Sequence, residues 1–365
     1  MLGEYEREHT LLREAVALAR ARDDRVRLAR VLGRLAYMLR QTADHIGAVT
    51  AGQQALTLAT ACGARALQVE ASFFLGTVYW SIGDYRQAAE LFWRNVATLE
   101  PSTGRPAPLL IHSRAWLAYT LSQLGQFAEG RRQGEEALRS ATAEGRGGEP
   151  MIAPLGLGRL YLAQGDLEAA ICLLDRGLAL CRAADNWNIG RATVAILGYA
   201  CALAGRLAEG RALLEEALRE SHRIGALQSQ SFYVAQLSAV CLLAGRVDEA
   251  SQHASQALAL ARQYGERGHE AFVLCQLGAV HAQADPLEVT QSEARYREAL
   301  ALAEELGMRP LQAHCHHGLG TLYAKTGQRE QARTALSTAI NLYRTMDMTF
   351  WLPEAMATLS QVEGR

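Results

Sequence analysis

The sequence predicts an all-α fold, an α-solenoid in which about eight helical hairpins with a period near forty residues wind into a right-handed superhelix. Three observations predict it. A small residue following an apolar one recurs about every forty residues, at Gly33, Gly76, Ala118, Gly158, Gly198, Ser238, Gly278 and Gly320. Around these positions apolar residues are spaced by three and four, the period of one face of an α-helix. Between paired apolar stretches stands a short turn, most often opened by glycine. Such a unit buries its apolar face only by stacking on its neighbours. A chain of 365 residues therefore forms one core that grows along the stack rather than several separate ones.

The copy from Val69 to Ala97 shows how each element arises. Leu75 and Tyr79 share one helical face, Gly83 supplies a left-handed C-cap, and Asp84 is placed to cap the next helix. Tyr85, Ala88, Phe92 and Asn95 continue as one stripe of that second helix. Gly76 and Ala88 are small where two helices approach closely. The same order recurs in Leu157-Gly158, Tyr161, Gly165-Asp166-Leu167, Ala170, Leu174, and in Leu197-Gly198, Cys201, Gly205-Arg206-Leu207, Gly210, Leu214. It recurs again in Leu237-Ser238 with Gly245, in Leu319-Gly320 with Gly327, and around Leu117-Ala118 with Gly125. Two copies depart from it. An extra segment of about three residues precedes Ala43-Asp44-His45, and the turn at Ala284-Asp285-Pro286 lacks its glycine and carries an insertion. The stretches Glu100–Pro108 and Gly145–Pro150 read as connections between hairpins.

This pattern resembles the tetratricopeptide repeat family over nearly the whole chain, although the family's unit is 34 residues. One repeat solenoid is expected over 1–365, with a half repeat at 1–20, full repeats over 24–345 and a capping helix at 353–363. Gly3-Glu4-Tyr5, Leu12 and Ala15 match a turn and second helix whose first helix is missing. That leaves Leu11, Leu12, Val16 and Leu18 half covered, so the chain is expected to continue from, or dock on, an upstream segment. At the other end Trp351, Leu352, Met356 and Leu359 are placed to cover the last repeat. The tail from Tyr343 to Pro353, together with Leu306–His316, resembles the C-terminal repeat region of large bacterial ATP-binding and adenylate/guanylate cyclase-type signalling proteins. The ATPase and cyclase motifs themselves are absent.

Composition narrows the partners. The 37 basic and 38 acidic residues nearly cancel, so nothing in the charge favours nucleic acid or an anionic membrane. The basic residues are arginines except Lys325, a bias associated with GC-rich bacterial genomes. Seven scattered cysteines without a C-x-x-C pair read as reduced core residues. No signal core and no membrane-length apolar run occurs, so a cytoplasmic location is expected.

No P-loop, nucleophile elbow or H-E-x-x-H helix is present. The cluster His314-Cys315-His316-His317, with His281 one repeat earlier, tempts a metal reading, but packing or groove-lining histidines are the expectation. Arg27, Arg30 and Arg34 form a basic stripe that reads as a solvated helix face or as a contact for an acidic segment. No catalytic, cofactor-binding or metal residue is therefore assigned, and no cofactor is expected.

In the family resembled, the first helix of each hairpin lines a concave groove. The resemblance places Arg27, Arg30, Arg34, Tyr37, Glu70, Phe73, Thr77 and Trp80 at the N-terminal end of that groove. His112, Tyr119, Arg159 and Tyr199 follow, then Phe232, Leu242, Phe272, His314, His317 and Lys325. The family's two-carboxylate clamp is not reproduced, so an acidic chaperone terminus is not the expected ligand. The expected role is a non-catalytic interaction or sensory module of a bacterial signalling protein. Its partner would be a protein or peptide in the groove, or an upstream ATPase, cyclase or regulatory domain. A free-standing peptide receptor is the alternative, and a metal-dependent enzyme using the His314–His317 cluster is the third reading.

Overall fold

The computed structural model of the chain describes residues 3–100, 107–144 and 149–364. Residues 101–106 and 145–148, within the two connections named above, lie outside the described residues. The described residues form eighteen helices and no strand. Helix α1 (Gly3–Ala21) is followed by eight hairpins. The first four are α2 (Arg25–Gln41) with α3 (His45–Ala61), α4 (Arg65–Ile82) with α5 (Tyr85–Leu99), α6 (Pro108–Leu124) with α7 (Phe127–Glu144), and α8 (Glu149–Gln164) with α9 (Leu167–Ala183). The last four are α10 (Trp187–Leu203) with α11 (Leu207–Ile224), α12 (Gln230–Leu243) with α13 (Val247–Tyr264), α14 (Arg267–His281) with α15 (Val289–Leu306), and α16 (Arg309–Lys325) with α17 (Arg329–Thr345). Helix α18 (Leu352–Glu363) ends the stack.

The turns follow from local chemistry. Gly83 takes φ 89°, which L side chains rarely adopt, and the Asp84 carboxylate accepts from the Gln87 N–H at 3.2 Å. The first hairpin corrects the expectation of an extra segment. Ala43 takes φ 61° where six of the other hairpin turns use glycine, and Asp44 caps α3 by accepting from the Gly47 N–H at 2.9 Å. Counting back from that turn, the small residue of the first repeat is Ala36, fully buried, and not Gly33. The departure at 284–286 is real, because seven residues, 282–288, join α14 to α15.

Inside each hairpin the first helix's small residue faces one particular residue of the second, and the two sizes compensate. A methyl at Gly76 would meet the Phe92 ring at 2.8 Å, one at Gly158 the Leu174 Cγ at 2.7 Å, and one at Gly320 the Leu336 Cγ at 2.6 Å. Where the first position carries a side chain, the second shrinks. Ala36 faces Gly52 and Ala118 faces Gly134, with 3.6 Å and 3.3 Å between Cβ atoms when one is built on the glycine. Interiors tolerate little volume change. Gly158→Leu is therefore expected to cost about 1–3 kcal/mol by overpacking, and Leu174→Ala in the same chain to restore part of it. Urea denaturation of the single and double variants measures both, and equal midpoints for Gly158→Leu and wild type would contradict this packing.

The stack also closes on itself, the first three hairpins each meeting the one five places further on and the fourth meeting the segment before α18. The Gln41 carbonyl, at the end of α2, accepts from the Leu227 and Gln228 N–H groups just before α12. Gly83, after α4, lies so close to Gly268 of α14 that an added methyl would stand 2.8 Å from the Gly268 nitrogen. Gly125, after α6, abuts Arg309, Pro310 and Met346, and Gly165, after α8, abuts Phe350 and Trp351. The cores follow the closure. Phe73, Trp80, Tyr85, Phe92 and Leu117 share one apolar cluster with Leu274, Ala303, Met308 and Leu311. Ala118, Phe127 and Leu160 share another with Tyr343, Met346 and Ala355.

At the ends, Val16 of α1 is buried while Leu11 and Leu18 are exposed. Trp351, Leu352 and Leu359 pack on the last cluster, but Met356 points to solvent and does not join the cover expected of it. Cys181, Cys201, Cys241 and Cys315 are buried free thiols, whereas Cys172 is exposed. Among the described residues no helix is long and apolar enough to cross a membrane.

Candidate functional site

Closure leaves the concave face as a partly open lumen with two cavities of about 380 and 240 Å³. Phe232 of α12 lines both. Of the groove residues expected from the sequence, Tyr37, Phe73, Trp80, His112, Tyr119 and Phe232 line the smaller cavity. Arg159, Tyr199, Phe272, His314, His317 and Lys325 line the larger, together with Phe232.

Six expected residues line neither cavity. Arg27, Arg30 and Arg34 are exposed, with Arg27 held by the capping Asp24 at 3.3 Å and Arg34 by Glu8 of α1 at 3.2 Å. Two of the three arginines are thus spent locally, on the helix's own cap and on α1. Thr77 is sealed in the wall, its hydroxyl donating to the Phe74 carbonyl at 2.7 Å. Glu70 is half-buried one turn from Phe73 and Phe74, outside the lumen. Leu242 is buried against Val280 and not in the lumen.

The smaller cavity has aromatic walls that hold one another. Trp80 stacks on Tyr119 at 4.7 Å between centroids and meets Trp116 edge-on at 5.7 Å. The Arg159 guanidinium lies over the Phe232 ring at 4.4 Å and over Tyr119 at 5.5 Å. Arg40 lies over Trp116 at 5.6 Å and donates to the Gln41 side-chain carbonyl at 2.9 Å. Arg191 donates to the Gln228 carbonyl at 2.9 Å and to the Gln41 side chain at 3.2 Å. Desolvation pushes the Tyr119 hydroxyl pKa up, and Arg159, Arg40 and Arg191 all pull against it, so the three cations converge on one place.

A second polar cluster locks the closure beside this cavity. Glu266, fully buried at the start of α14, accepts from the Ser229 N–H at 2.9 Å and from the Ser231 hydroxyl. His269 Nδ1 lies 3.1 Å from the same carboxylate, and His45 Nε2, from the first hairpin, 3.8 Å away. At 3.8 Å His45 stands just beyond ordinary hydrogen-bond reach of the carboxylate. Burial is the largest influence on Glu266 and opposes ionisation. The opposing effects of His269, His45 and Ser231 together outweigh it and hold the carboxyl well below its usual range.

The tempting histidines are committed to packing. His314 Nδ1 lies 3.0 Å from the Tyr343 hydroxyl, which also lies 3.4 Å from His317 Nδ1. Burial, then His317, pushes His314 down to about 3, so it is a neutral ring in the lumen wall. His281 pairs with Glu288 and does not join them. A group not singled out from the sequence, Cys241, Glu249 and His253, brings its ligand atoms within 4.8 Å of one another. Arg211 at 2.7 Å and Arg246 at 3.1 Å already neutralise Glu249 there, so two cations occupy the surroundings a metal would need.

Sequence reasoning passed over Arg40, Trp116, Arg191 and Glu266. Arg40 stands one turn beyond Tyr37 and Trp116 one turn beyond His112, so helical spacing from chosen positions points to both. Arg191 lies on a first helix, the class of helix expected to line the groove. Glu266 had no such signal, because its partners come from α3 and α12.

Comparison with known proteins agrees with this architecture. The family model described as the tetratricopeptide repeat matches residues 313–345, 155–176 and 192–216. The search among curated proteins finds no match. A solved Rap protein complexed with competence and sporulation factor superimposes with a TM-score of 0.67 at 12% identity, over 94% of this chain and 97% of that one. The Rap conjugation gene regulator of plasmid pLS20, in complex with the Phr* peptide, gives 0.59 at 15% identity, over 95% and 97%. A signal transduction ATPase with a tetratricopeptide repeat sensor from Pyrococcus horikoshii gives 0.49 at 17% identity, over 75% of this chain and 43% of that one. The chain is an all-α solenoid of tetratricopeptide-type hairpins with the overall fold of the Rap proteins.

Proposed function

We propose that this chain is a non-catalytic regulatory receptor of the bacterial cytosol. It binds a short peptide inside its lumen and passes that occupancy to a partner protein or a linked domain. The observation that carries the proposal is the aromatic-walled lumen, whose two cavities share Phe232. Concave, mostly apolar sites with a few convergent polar groups are the usual form of a ligand site. Aromatic and arginine anchors are the residues that carry most binding energy in such sites. Two solved structures of the same fold hold a signalling factor or peptide, which supports the same class of ligand here. The neutral His314 and the pre-engaged His317 favour binding over acid–base chemistry in the larger cavity.

The test fills the lumen from within. Ala192 lines the smaller cavity and Ala279 the larger, and both keep partial exposure there. Ala192→Trp and Ala279→Trp are expected to keep the wild-type melting midpoint. Each is expected to lose retention of the members of a synthetic random hexapeptide pool that wild type enriches. Those peptides should raise the wild-type midpoint in proportion to their saturation. Retention undiminished in both variants would place binding outside the lumen.

A further inference from the structure

We propose that the lumen recognises a carboxylate of its peptide, seated between Arg159 and Arg191 at the junction of the two cavities. The proposal rests on the peptide reading above and adds the group the peptide must present. The charge of the chain as a whole gives no hint of it, since 37 basic residues face 38 acidic ones. The lumen is different. The smaller cavity is lined by Arg40 and Arg191 and by no Asp or Glu among the described residues. The larger is lined by Arg159 and Lys325 against Glu354 alone. Glu354 acts on His317, at the Trp351 end of the larger cavity.

Arg159 is the group best placed to meet an anion. It lies on Phe232, the residue that lines both cavities, and reaches over Tyr119. A guanidinium lying over rings keeps its N–H edge in the plane, free to form a two-pronged pair with a carboxylate. Among the described residues Arg159 is in no hydrogen bond or ion pair with the protein, so these aromatic faces are the contacts that orient it. Arg191 is 2% exposed, and its acceptors are the neutral Gln228 and Gln41. Its Nε is buried without a hydrogen-bond partner. A buried guanidinium surrounded by neutral acceptors keeps its charge uncompensated, and an incoming carboxylate is the group that relieves it. The one buried carboxylate among the described residues, Glu266, is already held by Ser229, Ser231 and His269.

The position also ties binding to closure. Arg191 on α10 bonds to Gln41 of the first hairpin and Gln228 before α12, the contacts that join the two turns. A carboxylate held by Arg159 and Arg191 therefore bridges the fourth and fifth hairpins at the point where the first turn meets the second.

Three synthetic hexapeptide pools test this on the full chain. One has free C-termini and no Asp or Glu, one has amidated C-termini with Asp and Glu allowed, and one is amidated without either. Retention is read by equilibrium dialysis with mass spectrometry for wild type, Arg159→Gln and Arg159→Lys. Wild type is expected to retain the best members of a carboxylate-bearing pool about tenfold or more above the neutral pool. Arg159→Gln should erase that excess at an unchanged melting midpoint, and Arg159→Lys should keep part of it. An excess in the first pool alone identifies the chain terminus as the source, and in the second alone an acidic side chain. If the neutral pool is retained equally well, peptide binding stands and the carboxylate site is overturned. A preference that survives Arg159→Gln overturns it too, and if no pool is retained both readings fall.

Discussion

Glu266→Ala is expected to destabilise the chain by about 3–5 kcal/mol, the range for removing one partner from a buried ionic cluster. The carboxylate is fully buried and joins α14 to Ser229 and Ser231 of the sixth hairpin and to His45 of the first. Its loss strands the Ser229 N–H and leaves two histidines without their counter-group. Urea denaturation at pH 7 measures the effect, and a variant that melts like wild type would remove the cluster from the account of closure. The same group makes stability depend on pH. Its folded pKa lies below its unfolded one, so its contribution is complete above the ordinary glutamate value of about 4.3. That contribution fades as pH falls through the lower folded value. Wild type should therefore lose stability on acidification below about pH 4.3, and Glu266→Gln should lack this part of the slope.

Trp80→Ala is expected to cost about 3–5 kcal/mol as a large-to-small change in a packed core. The ring is 3% exposed and touches four aromatic groups, Tyr85 at 6.1 Å, Trp116 at 5.7 Å, Tyr119 at 4.7 Å and His269 at 5.8 Å. His269 belongs to the seventh hairpin, so Trp80 packs across the seam between turns as well as along its own. Guanidinium denaturation gives the loss. Native-state hydrogen exchange should show the excess opening in α4 and α14 together, whereas opening confined to α4 would mean that the seam carries little. A binding assay on this variant would register loss of fold before loss of ligand, because the ring is a wall of the cavity and not a surface anchor. The same holds for Phe73, which is 7% exposed. The half-buried Tyr199 and Phe272 are the aromatic positions where truncation reports on binding.

How far the site was legible depends on the range of the interactions that build it. The aromatic members of the lumen are recoverable because each sits on the inner face of a first helix. Phe73, Trp80, Tyr119, Tyr199 and Phe232 follow from helical spacing and the identity of the first helices. The arginine stripe misled, because periodicity places Arg27, Arg30 and Arg34 on one face without saying which face closes on what. Their partners Asp24 and Glu8 take them out of the lumen. The first repeat misled in register, because Ala43 adopts the left-handed turn that glycine marks elsewhere. The compensation of Ala36 with Gly52 and of Gly76 with Phe92 is present in the sequence, but only the paired helices show which positions to compare.

The hairpins were decided by the sequence alone. Each one rests on caps, turn glycines and a small-against-large pairing that lie within a single repeat, where short range makes pattern sufficient. Closure was decided by tertiary structure. It depends on the small rotation between neighbouring hairpins summed over five of them, and no local pattern encodes a sum of that kind. That sum brings Gln41 to Gln228 and His45 to Glu266. It turns an open groove into a lumen, and it sets Arg40, Arg159 and Arg191 around one tyrosine.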